Sequence, residues 1–97
     1  MAAAKRAKKD ETDRLKGERV VVDTCTTHVY VGTFKEMTDR FLTLTDADVH
    51  DVAEGGSSKE MYALETRRHG IQKNRREVLI RNDVIVSVSK LDDVILF

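Results

Sequence analysis

Arg81 closes an apolar run, Val78-Leu79-Ile80, and an arginine at the lip of a hydrophobic strand is placed to meet an anion or a flat ring. Two chemistries fit it: a contact to the phosphate or base of a nucleic acid, or an ion pair with Asp83 or Asp39. Five more cations, Arg67, Arg68, Lys73, Arg75 and Arg76, crowd around Gly70. They could contact RNA phosphates with a salt-dependent affinity, or form a solvated loop that guards a strand edge against aggregation. Asp46, Asp48 and His50 alternate, so on a regular strand they share one face, with oxygen and imidazole donors for a metal. An acidic run on the wet face of a strand is the plainer reading, no fourth ligand is evident, and no metal is expected. Cys25 and His28 have the spacing of a nucleophile and its base, but nothing nearby would orient the pair. Cys25 is expected to be a partly buried bystander in a hairpin turn over residues 24–27, and His69 to be solvent-exposed. With no nucleophile, base and acid to assemble, neither an enzyme nor a cofactor is expected.

Charge narrows the classes further. Lys+Arg and Asp+Glu balance at 17 each, so the 97-residue chain as a whole exerts no pull on nucleic acid, and any such binding depends on local clusters. The clusters exist. Residues 1–19 hold seven cations against four acids, residues 20–60 three against eight, and residues 61–97 seven against five. The single cysteine rules out an intramolecular disulfide and suits a reducing compartment. No apolar run is long enough to span a membrane and no signal-peptide core follows Met1, so a cytoplasmic location is expected. Only five aromatic rings, Tyr30, Phe34, Phe41, Tyr62 and Phe97, are available to stack on bases.

The elements that must position these residues follow from local pattern. Residues 1–16 are rich in alanine and charge and read as a basic N-terminal helix or tail, ended by Gly17 as a left-handed cap. From residue 18 the period becomes two. A first strand carries Val20 and Val22, and a second over 29–37 carries Tyr30 and Phe34 on one face with Gly32 between them. A glycine inside a strand marks a bend or a close backbone approach, as a small barrel needs. After a turn at 38–40 a third strand starts at Phe41. Its apolar parity switches between Leu44 and Ala47, which predicts a bulge near Asp46. Residues 54–58, Glu-Gly-Gly-Ser-Ser, are a turn, and 61–66 read as a strand with Tyr62 and Leu64 aligned. Residues 67–76 read as a loop or solvated strand extension. Residues 78–81 and 84–89 read as a final strand pair broken by Asn82-Asp83. The last apolar stretch, 90–97, packs back on the barrel or across to a neighbour. Residues 17–97 thus form one domain with one modest core.

Several of these segments resemble the Sm-like (LSm) family. Gly17 with Val20-Val21-Val22, Tyr30-Val31-Gly32-Thr33-Phe34 and Asp39-Arg40-Phe41-Leu42-Thr43-Leu44 is similar to its first motif, and Val78-Leu79-Ile80-Arg81-Asn82 to its second. The resemblance spans roughly residues 17–89. It implies an all-β fold with an N-terminal α-helix: a strongly bent, five-stranded antiparallel barrel of SH3-like type. It also implies a homo-oligomeric ring, hexamer or heptamer, in which the fourth strand of one subunit pairs with the fifth of the next. The partner it implies is single-stranded, U-rich RNA held near the ring pore, in RNA processing, stability or chaperoning. Asp39 would orient the arginine, and Phe41, Thr43, Arg81 and Asn82 would lie near the base. Two positions depart from the family pattern: Thr43 stands where it has asparagine, and Asn82 where it has glycine. A threonine offers one hydroxyl in place of an amide's donor and acceptor. These departures favour the alternative of a protein-interaction or scaffold module that keeps the barrel without the uracil pocket.

Overall fold

The computed structural model describes residues 11–96, which form five strands and two α-helices. The strands are β1 (Arg19–Thr24), β2 (His28–Met37), β3 (Phe41–Asp51), β4 (Arg75–Arg81) and β5 (Ile85–Lys90). A short α1 (Val52–Gly55) and a longer α2 (Lys59–His69) lie between β3 and β4. All pairings are antiparallel and the strand order is β4-β3-β2-β1-β5.

That order forces the sheet to curl. β4 and β5 occupy opposite edges, yet only a 3-10 turn, Asn82–Val84, joins them. A flat five-stranded sheet is about 19 Å across, whereas the four residue steps from Arg81 to Ile85 reach at most about 14 Å. The edges must therefore come round toward each other, and the backbone hydrogen bond from Cys25 N to Val84 O, at 2.9 Å, fastens the turn to the β1 side. The expected pairing of β4 with β5 is not present: both strands exist and follow one another, but each keeps one edge unpaired among the described residues.

Bulges supply the curvature. Between the pairs Val31↔Asp48 and Thr33↔Thr45, β3 carries two residues, Asp46 and Ala47, against Gly32 alone. Asp46 absorbs the surplus with φ +49°, a conformation aspartate tolerates. The expected parity switch is real: Leu42, Leu44 and Ala47 all reach the same core. Gly32 is required by the close approach, because a Cβ there would sit 2.8 Å from the Ala47 Cβ. A second bulge, between Asp23/Thr24 of β1 and Ser87/Ile85 of β5, displaces Val86 outward to 64% exposure.

Both faces of β1 are buried, which is why three successive valines lie inside. Val20 and Val22 face the barrel interior with Phe34, Leu42, Leu44 and Ile80. Val21 faces the other way, with Val29, Val31, Leu91 and Tyr62 of α2. Here the structure corrects the sequence reading. Residues 61–66 are helical, and Tyr62 and Thr66, one turn apart, supply the buried positions of α2. Ser58 caps the helix by accepting from Met61 N at 3.0 Å, and Arg67, Arg68 and His69 occupy its last turn, where cations suit the helix dipole. Lys59 pins its start: Nζ donates to Asp23 Oδ1, Thr24 O and Thr26 O at 2.8, 2.8 and 2.7 Å.

At the N-terminal end most of the expected helix lies outside the described residues. Its last part, Glu11–Leu15, is a 3-10 turn whose Leu15 enters the core, and Gly17 follows at φ +83°. At the other end Leu91 is buried in the outer cluster with Val94 against it, while Ile95 and Leu96 are exposed.

Candidate nucleic-acid interface

Two turns far apart in sequence meet at one end of the barrel. The β2–β3 turn is shaped by Thr38, whose Oγ1 accepts from Arg40 N at 3.3 Å and Phe41 N at 3.1 Å. The β4–β5 turn docks on it through Asn82. Its backbone N–H donates to Arg40 O at 2.8 Å, and its side-chain Nδ2 donates to Thr38 O at 2.8 Å. The Phe41↔Arg81 pair at the end of the β3–β4 ladder fixes the register beneath. The result is an open cleft of about 230 Å³ lined by Asp39, Arg40, Phe41, Arg81, Asn82 and Asp83.

Of the five RNA-binding residues expected from sequence, the orienter Asp39 and the base-proximal Phe41, Arg81 and Asn82 line this cleft. Thr43 does not. It is 7% exposed and sits in register between Glu36 and Leu79, inside the sheet rather than at its end. Arg81 donates from Nη2 to Asp83 Oδ2 at 2.6 Å, so the neighbour two residues on holds it, and Asp39 makes no hydrogen bond or ion pair with it. Asn82, where the family pattern has glycine, has an ordinary negative φ and serves as the tie between the turns.

The expected phosphate contacts form a separate group. Arg67 and Arg68 lie on the last turn of α2, Lys73 in the following loop, and Arg75 and Arg76 at the start of β4. Arg75 donates to Asn74 O at 2.9 Å and Arg68 lies 3.8 Å from Glu65. Arg75 and Arg81 stand at opposite ends of β4, separated by about 20 Å of strand.

Of the other chemistry-bearing residues, Asp48, His50, His28 and His69 have side-chain partners. Asp46 is turned out of phase by its bulge, and the Asp48 carboxylate accepts from Tyr62 Oη at 2.5 Å and Asn74 Nδ2 at 2.9 Å. His50 stacks flat on Tyr62, ring centroids 4.2 Å apart. Burial, then the Asp48 hydrogen bond, push the Tyr62 phenol well above its ordinary pKa. Among the described residues no group of three or more His, Cys, Asp and Glu is placed to hold a metal. Cys25 is exposed in its turn rather than partly buried. His28 lies against Asp51 at 4.0 Å, and the exposed His69 against Glu65 at 3.2 Å.

Sequence reasoning missed the cluster of Asp48, His50, Tyr62 and Asn74 that seats α2. The helical spacing of Tyr62 and Thr66 behind a Ser58 cap was the available signal.

No family model and no curated protein matches the sequence. Solved structures do match. An Sm protein of Pyrococcus abyssii, solved in complex with a uridine heptamer, is similar with a TM-score of 0.56 at 16% sequence identity, over 84% of this chain and 99% of that one. The fold of this chain is therefore the Sm-like fold: a strongly bent five-stranded antiparallel sheet carrying a helix. Among the described residues no helix is long and apolar enough to cross a membrane.

Proposed function

We propose that this chain is a single-stranded RNA-binding module of Sm-like type, acting in the cytoplasm as a closed homo-oligomeric ring of about six or seven copies in RNA processing, stability or chaperoning. The observation that carries the reading is the cleft. Residues from two distant segments, Asp39 and Phe41 on one side and Arg81 and Asn82 on the other, meet at one barrel end. Phe41 offers a ring for a base and Arg81 a cation for a base or phosphate. A fold shared with a protein solved on a uridine heptamer supports the same reading. The ring rests on the edges: among the described residues β4 and β5 each leave one side unpaired, and each presents an exposed apolar residue, Leu79 at 53% and Val86 at 64%.

A second reading, a protein-interaction scaffold on the same barrel, is favoured by two observations. Thr43 lies buried outside the cleft, and Asp83 already holds Arg81. Fluorescence anisotropy with labelled oligo-U and oligo-A at two salt concentrations separates the readings. The RNA reading requires binding at low salt that weakens as salt rises, and weakens at least tenfold in Arg81→Ala. No binding at low salt, or binding indifferent to Arg81→Ala, favours the scaffold.

A further inference from the structure

The RNA reading leaves the identity of the base open, and the side chains around the cleft bear on it. Those expected to read uracil are withdrawn or engaged. Thr43 lies outside the cleft, and Asn82 gives its amide N–H to Thr38 O at 2.8 Å while its Oδ1 is buried. Arg81 is held by Asp83 at 2.6 Å. Two polar cleft side chains remain without a hydrogen bond or ion pair among the described residues, Asp39 and Arg40, and both are exposed.

These two neighbours present a definite pattern. A carboxylate only accepts hydrogen bonds and a guanidinium only donates them. The uracil edge has one N–H between two carbonyl oxygens, so a carboxylate facing it gains one hydrogen bond and meets two lone-pair-bearing atoms. The guanine edge has N1–H and the exocyclic N2–H side by side, which match the two oxygens of one carboxylate as a bidentate pair, and its O6 accepts from a cation. We propose, resting on the RNA reading, that this cleft selects guanine over uracil. Asp39 reads N1–H and N2–H, Arg40 reads O6, and Phe41 supplies the stacking face. The departures at Thr43 and Asn82 then accompany a change of base preference.

The test compares three labelled heptamers on the full chain by anisotropy at one low salt concentration: all-uridine, alternating uridine and guanosine, and the same alternation with inosine, which lacks the N2 amine. The guanosine heptamer should bind about tenfold tighter than all-uridine, and inosine should lose most of that gain. Asp39→Asn, at an exposed turn position, replaces two acceptors by one acceptor and one donor and should erase the preference. Equal binding of the uridine and guanosine heptamers, full retention by inosine, or a preference that survives Asp39→Asn overturns the guanine assignment and leaves the RNA reading standing. Failure of all three heptamers to bind overturns both.

Discussion

Single side chains decide how α2 is held. Tyr62 places its hydroxyl 2.5 Å from a buried Asp48 oxygen, and Asn74 satisfies the other oxygen. Tyr62→Phe keeps the ring stacked on His50 but leaves a buried carboxylate oxygen without its donor. That should cost about 1–3 kcal/mol in urea denaturation, with α2 the first element to open. The same hydroxyl gives stability an alkaline limit. Because its folded-state pKa is raised, its contribution is fully present below about pH 10, where the unfolded chain keeps the proton, and is lost as pH climbs toward the folded value. Wild-type protein should therefore lose stability above about pH 10 more steeply than Tyr62→Phe. Parallel pH profiles for the two would refute the role assigned to this hydrogen bond.

At the scale of elements, the curvature of the sheet and the seating of α2 are separable. The bend of β2 over β3 depends on Gly32 lying against Ala47, so Gly32→Ala drives a Cβ into backbone and side chain that cannot swing aside. We expect a loss of about 1–3 kcal/mol by chemical denaturation, and an unchanged midpoint would show that the approach is not required. This part of the fold was legible in the sequence. Gly32, the parity switch between Leu44 and Ala47, and the valine alternation of β1 are local signals that act through local geometry. The helix was not read, because residues 61–66 satisfy a period of two as well as one of 3.6. The Ser58 cap and the Tyr62–Thr66 spacing favour the helix, and the partners that seat it, Asp48 and Asn74, lie in other segments. The two-turn cleft was legible for Asp39, Phe41, Arg81 and Asn82, since motif positions at strand ends stay at strand ends. Thr43 lies two residues inside β3, buried and paired on both sides with Glu36 and Leu79, so it does not reach the cleft. The pairing of β4 with β5 failed because a tight turn normally makes a hairpin, but in a curled sheet it can join opposite edges.

For the whole molecule, unpaired edges and a terminal cleft make one connected proposal. If β4 of one copy completes β5 of the next, light scattering should give six or seven times the 11.0 kDa protomer. Leu79→Asp or Val86→Asp, at exposed edge positions that do not enter the core, should release folded monomers. A wild-type monomer at micromolar concentration would remove the ring. The central claim concerns where RNA sits. The chain carries two candidate surfaces at opposite ends of β4, the cleft around Asp39 and Arg81 and the cations from Arg67 to Arg76. Hydrogen exchange of the backbone amides with and without a bound single-stranded RNA heptamer distinguishes them directly. The account predicts slowed exchange in residues 38–43 and 81–84. Protection confined to residues 67–76, or none in either turn, would contradict it.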